Sequence, residues 1–179
     1  MPRKFFRKYQ PALQKFRTHS LVVRFGAPLQ HPALWCFSRR SVSGAVAIGL
    51  FAGLIPGPFQ MLFALALAVP LKKNVPIALA LTFYTNPFTI VPIYLLAYGL
   101  GRFVLGMEGI VTQVQPFEWS WSDLSGSIHG LGAWMMSLGT PLAVGLATLA
   151  VILAAVGYGV VELGWRIHVV RAWRRRKQS

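Results

Sequence analysis

Side chains able to do acid–base, nucleophilic or metal chemistry are few in this chain and widely spaced. Four acids (Glu108, Glu118, Asp123 and Glu162) stand against 18 Lys and Arg. The histidines His19, His31, His129 and His168 are scattered and unpaired with nearby acids. Cys36 is the sole cysteine, so neither a disulfide framework nor a metal-thiolate set is available. No acid or histidine lies within the most apolar stretches to carry a proton relay, and no glycine-rich phosphate loop is present. The sequence therefore points away from an enzyme, and no catalytic residue, metal ligand or cofactor is assigned.

What remains is hydrogen-bonding and phosphate-gripping chemistry. Gln60 interrupts the apolar stretch "GLIPGPFQML", directly after Pro56, Gly57 and Pro58. Thr82, Thr85, Asn86 and Thr89 occupy "TFYTNPFTIVPIY", with Pro87 after the asparagine. Their three- and four-residue spacing would align them on one face if a helix ran through. Arg39 and Arg40 precede the first apolar run, and guanidinium groups hold phosphate at two points. Gln60, Thr82, Thr85, Asn86, Thr89, Arg39 and Arg40 are the candidate substrate-binding residues. Pro56, Gly57, Pro58 and Pro87 are the candidate turn residues.

The elements that would position them follow from segregated composition. Hydrophobic residues make up 55% of the 179, mean hydropathy is +0.54, yet the formal net charge is +14. Nine of the cations fall within residues 1–40 and six within residues 162–179. Between them lie three uncharged runs, Ser41 to Leu71 (31 residues), Val75 to Gly101 (27) and Leu131 to Val161 (31). Each exceeds the roughly 20 apolar residues that cross a bilayer, and a helix apolar all round needs lipid or a large core. The reading is an all-α integral membrane protein.

Cytoplasmic loops are enriched in Lys and Arg. Both termini and Lys72-Lys73 are thus expected on the cytoplasmic side, with the acidic loop at 102–130 on the other. Three plain crossings would put the ends on opposite faces. A 31-residue helix would also reach about 46 Å, well beyond the roughly 30 Å hydrocarbon core. A reversal at Pro56-Gly57-Pro58 resolves both problems, because proline breaks the helix and Gly57 can take the angles of a tight turn. Residues 41–71 are then a re-entrant hairpin; the alternative is one long tilted helix with a proline kink. Buried irregular backbone must be covered by protein or trapped water.

Residues 75–101 read as a transmembrane helix broken at Asn86-Pro87, and again broken or bent at Pro92. The first break could equally be a second hairpin tip. At an offset of 29, Pro58-Phe59-Gln60 echoes Pro87-Phe88-Thr89, Leu67-Ala68 echoes Leu96-Ala97, and Lys73 echoes Arg102. Internal repeats of broken helices recur in transporters, with substrate at the breaks. Residues 131–161 read as a further transmembrane helix. There, small residues recur four apart at Ala143 and Ala147, Ala150 and Ala154, and Ala155 and Gly159, a spacing suited to close helix packing. Glu162 is expected to pair with Arg166 four residues on. Residues 1–40 form a basic interfacial arm, in which His31-Pro32 opens a short helix carrying Leu34, Trp35 and Phe37 at headgroup level.

"RRSVSGAVAIGLFAGLIPGPFQM" followed by "KKNVPIALALTFYTNPFTIVPIYLLAYGLG" resembles the bacterial family named domain of unknown function 2062. The family's pattern is met by Arg39-Arg40, Gly49, Phe51, Gly53, Pro56, Pro58, Gln60, Met61, Asn74, Pro76, Thr82, Asn86, Pro87, Thr89, Pro92 and Tyr94. The resemblance implies a bacterial inner-membrane protein and carries over no activity. Relatives joined to glycosyltransferase domains hint at envelope glycans or their lipid carriers.

Two functions are consistent with these residues. One is transport or flipping of an anionic, lipid-linked envelope substrate through a polar site at the broken helices, with Arg39 and Arg40 recruiting phosphate. A hairpin plus two spans cannot enclose a path, so this reading requires a homo-oligomer. The other is a scaffold that packs against a partner membrane protein while its basic ends bind anionic phospholipid. No nucleic acid is expected.

Overall fold

The structure, a computed structural model, describes residues 29, 31–57, 59–107, 117 and 122–177. Pro58, most of the basic arm, Glu108 and Glu118 lie outside these residues. The described chain is helical, without a strand: a 3-10 turn at Pro32–Trp35, then α1 (Arg39–Ala52), α2 (Phe59–Ala68), α3 (Val75–Thr82), α4 (Ile90–Val104) and α5 (Leu124–Lys177). It divides into two compact units, one of residues up to Thr82 with those from Leu153 onward, the other of Phe83–Ile152.

In the first unit, Ser38 caps α1 by accepting the N–H of Ser41 at 3.2 Å, a hydroxyl taking one of the donors that a helix start leaves open. The helix ends at Gly53, and the chain turns through Pro56 and Gly57, whose φ of +72° is readily adopted only without a Cβ. The reversal brings the Phe51 ring of α1 over Phe63 of α2, with centroids 6.2 Å apart. It returns Lys73 to the start of α1, where its ammonium donates to the Arg40 carbonyl at 3.2 Å.

The turn after α2 is closed from within. Lys73 N–H reaches the Ala68 carbonyl at 2.9 Å and Lys72 N–H reaches Val69 at 3.1 Å. This is the paired 6→1 and 5→2 arrangement that satisfies the last carbonyls of a helix. Its pivotal position, normally glycine, is Lys72, at φ +51°. The end of α4 repeats the arrangement through Met107 to Arg102 and Gly106 to Phe103, here with Gly106 at φ +66°.

Packing in the first unit depends on small residues. Ser41, Gly44, Ala45, Ile48 and Ala52 fall at helical spacing on the buried side of α1. A Cβ on Gly49 would strike the Ala78 carbonyl and the Leu81 side chain of α3. The core adds Leu34, Ala64, Ala68, Val75 and Ala78. Leu34 is almost fully buried, because the 3-10 turn folds onto this core. Trp35 is packed there too, its indole N–H on the Leu29 carbonyl at 2.9 Å.

In the second unit, α4 and α5 meet at glycines. A Cβ on Gly101 would strike the Pro141 carbonyl, and one on Gly145 the Ala97 carbonyl. Ala97 and Gly101 thus face Pro141 and Gly145, each pair four apart, as close helix packing requires. Of the small residues singled out in the sequence, Ala143 and Ala147 are exposed, whereas Ala150 is buried and Ala154 half-buried. α5 is broken at Gly139 (φ 57°, ψ −146°), two residues before Pro141. The break removes the clash that a proline ring makes with the preceding turn. Helical structure extends past both expected bounds of the third run, starting inside the presumed 102–130 loop and running through the basic tail. Ser125–Arg171 holds an apolar window of mean hydropathy 2.3, and by length and composition it is long enough to cross a membrane.

Two stability predictions follow from these contacts. Gly49→Val should cost roughly 1–3 kcal/mol by overpacking, whereas Gly99→Ala, with open space around it, should be near neutral. Lys72→Gly should raise stability by about 1 kcal/mol on relief of its left-handed backbone. Thermal unfolding of the purified protein in detergent checks both.

Candidate functional site

The chain breaks and the start of α1 hold the polar side chains singled out above. Asn74 is fully buried ahead of α3. Its Oδ1 accepts the N–H of Ile77 at 3.1 Å, capping the helix, and its Nδ2 donates to the Cys36 carbonyl at 3.2 Å. One side chain thereby starts α3 and ties the N-terminal segment to it. Pro76, in the first turn of α3, surrenders an N–H that would have had no intrahelical partner.

A second cap governs the break before α4. Asn86 Oδ1 accepts the N–H groups of Phe88 at 3.0 Å and Thr89 at 3.1 Å. In return the Thr89 hydroxyl accepts the N–H of Asn86 at 3.0 Å and donates to the Tyr84 carbonyl at 2.6 Å. This is the reciprocal logic of a capping box. Ile90 N–H already reaches the Asn86 carbonyl at 2.9 Å, so the turn feeds directly into α4. Pro92 sits in the first turn of α4, where a missing N–H is harmless, and the helix runs on through it to Val104.

The expected stripe of Thr82, Thr85, Asn86 and Thr89 on one helix face does not form, because α3 stops at Thr82. Thr82 is fully buried with its hydroxyl on the Leu79 carbonyl at 2.8 Å, and Thr85 is also buried. Asn86 and Thr89 spend hydrogen-bonding capacity on the cap. Gln60 is half-buried in the first turn of α2, its N–H on the Gly57 carbonyl at 3.4 Å.

The cations converge differently. Arg39 and Arg40 are the first residues of α1, whose first turn contains no acid. The Lys73 stem lies where a Cβ on Gly44 would fall, and its ammonium is on the Arg40 carbonyl. Three positive groups thus gather at the positive end of a helix dipole, where each cation is disfavoured by about 0.3–1 kcal/mol. Among the described residues one carboxylate answers them: Arg39 Nε lies 3.1 Å from Glu162 Oε1. The expected pairing of Glu162 with Arg166 gives way to this contact, because α1 brings Arg39 alongside α5. One helical turn further, Arg166 lines a shallow groove of about 330 Å³ with Ile167, Val170 and Arg171.

Sequence reasoning missed Ser41, Lys73, Asn74 and Glu162 as parts of this region. Asn74 carried a readable signal, since asparagine followed by a proline within the first turn is a helix-start signature. The approach of Lys73 and Glu162 to α1 depends on tertiary packing. Asn74→Asp tests the double duty of Asn74: it keeps the capping acceptor and loses the donor to Cys36. Unfolding measurements should show a loss of roughly 1–3 kcal/mol, whereas an unchanged stability would mean that the Cys36 bond contributes nothing.

Among the described residues no group of three or more His, Cys, Asp or Glu could hold a metal ion. No curated protein and no solved structure matches the chain. A family model does match, over residues 23–174, and its description is an uncharacterized protein conserved in bacteria. On that match, covering most of its length, the chain belongs to the bacterial family domain of unknown function 2062.

Proposed function

We propose that this is a bacterial inner-membrane protein that transports or flips an anionic, lipid-linked envelope substrate, its phosphate engaged by Arg39 and Arg40 at the cytoplasmic face. The carrying observation is the gathering of Arg39, Arg40 and Lys73 at the start of α1 against a single carboxylate. A membrane setting is supported by large apolar side chains left exposed on three helices. Phe59 and Leu62 are exposed on α2, Leu96 and Phe103 on α4, and Val151, Val156 and Val160 on α5. Several adjacent residues of this kind would be costly in water. In this reading α1 and α2 form a re-entrant hairpin, both termini are cytoplasmic, and α5 crosses the bilayer. So few spans enclose no path alone, so the working unit is a symmetric homo-oligomer.

A second reading has its own observation. Asn74, Asn86 and Thr89 are engaged in capping the helices of their own chain, which suits a scaffold for an envelope enzyme with anionic phospholipid at its basic ends. Nothing in either reading calls for catalysis by this chain.

Topology and flux separate these possibilities. In a Cys36→Ser background, cysteines at Lys72 and Ser179 should react with an impermeant thiol reagent only from the cytoplasm, and one at Asp123 only from the periplasm. In proteoliposomes, a fluorescent phosphate-bearing lipid should cross faster with the wild-type protein than without it. Arg40→Gln should abolish most of that gain. Correct topology with no flux, and loss of a co-purifying membrane protein in the variants, would favour the scaffold.

A further inference from the structure

We infer that the first turn of α1 is a phosphate-binding site held in reserve by Glu162, whose carboxylate occupies Arg39 until a phosphate monoester displaces it. This deepens the phosphate-engaging part of the reading above and does not depend on transport.

Four kinds of donor meet there. At the start of α1, the Ser38 carbonyl and hydroxyl take the N–H groups of Val42 and Ser41. The N–H groups of Arg39 and Arg40 are among those a helix start leaves without intrahelical acceptors, and donors of this kind bind anions. The same turn carries the Arg39 and Arg40 side chains, and the Lys73 ammonium sits on its Arg40 carbonyl. The fourth donor is Ser41, third residue of the helix, 6% exposed, with its hydroxyl buried and unpartnered. A helical Cβ leans toward the helix N-terminus, so this hydroxyl is carried toward the same end. A buried unpaired hydroxyl is unfavourable by itself, and an anion seated at the turn would satisfy it.

Glu162 is an incomplete occupant. It meets Arg39 through Nε alone, at 3.1 Å, without the two-point grip of a guanidinium on a carboxylate. Its other oxygen, Oε2, is buried with no partner. Among the described residues at the start of α1, three cations face one carboxylate, a positive excess that favours a phosphate monoester dianion over a diester monoanion. The nearby groove pairs Arg166 and Arg171 with Ile167 and Val170, a mixture suited to the polar and apolar boundary of a lipid headgroup.

Native mass spectrometry of the full chain in detergent, titrated with phosphatidic acid, phosphatidylglycerol or phosphatidylcholine, tests the site; inorganic phosphate is added as competitor. Phosphatidic acid should bind about tenfold tighter than phosphatidylglycerol, and phosphatidylcholine weakest. Competition by millimolar phosphate would assign the site to free phosphate chemistry, and none would assign it to the lipid; both support the site. Glu162→Gln should tighten phosphatidic acid binding by about fivefold, the scale of a modest ion-pair effect. Arg40→Gln should weaken it by at least about tenfold. Ser41→Ala should raise the melting temperature of the free protein while lowering its affinity for phosphatidic acid. If Glu162→Gln lowers the melting temperature and leaves affinity unchanged or weaker, the ion pair is structural and the proposal is wrong. Binding of this pattern without flux in proteoliposomes would uphold the site and count against transport.

Discussion

An interruption of a helix leaves backbone donors and acceptors that must find partners, and at the described breaks between α1 and α4 the structure supplies partners locally. Ser38 caps the start of α1, and at the break after it Gly53 and Ile55 reach back to the Gly49 and Ala52 carbonyls while the Gly57 carbonyl takes the N–H of Gln60. The turn after α2 is closed by Lys73 and Lys72 reaching back to Ala68 and Val69. Asn74 starts α3, the Asn86–Thr89 exchange starts α4, and Gly106 ends it. In an apolar setting this constraint is severe, since an unsatisfied peptide group costs several kcal/mol where no water can reach it. It explains why asparagine, threonine, proline and glycine recur in otherwise apolar sequence without requiring that each touch a ligand.

With these breaks satisfied from within, Arg39, Arg40 and Lys73 stand out among the described residues as cations crowded at one helix start. The glycine and alanine face of α1 admits α3 closely enough for Lys73 to lie along the first turns of α1. A second close approach, of Gly157 on α5 to Val46 and Leu50 of α1, accompanies the Arg39–Glu162 pair. A cation cluster on a positive helix end is a local conflict, and natural folds keep such conflicts mainly where function requires them. Packing and site are therefore one problem: the small residues that allow close approach also create the charge crowding.

Much of the layout was legible in the sequence. The break at Pro56-Gly57 follows from proline and glycine chemistry, and the short helix opened by His31-Pro32 from the preference for proline in a first turn. Other features were not legible, for physical reasons. Helix spacing alone cannot say whether Thr82 and Asn86 share a helix, because the cap that Asn86 makes competes with helix continuation. The position of Gly145 opposite Ala97 and Gly101 depends on which face α5 turns to α4, and four-residue spacing recurs at several registers. The partner of Glu162 was missed because a tertiary contact displaced the local one.

The chain doubles back, so that the residues just after α2 lie beside those just before α1. Cross-linking the native Cys36 to a cysteine at Lys72 with a short bifunctional maleimide measures this directly. The fold described here predicts rapid cross-linking within a single chain, independent of protein concentration. In a single uninterrupted helix the two positions would be separated by about 50 Å. Failure to cross-link in a protein of unchanged stability would contradict the account.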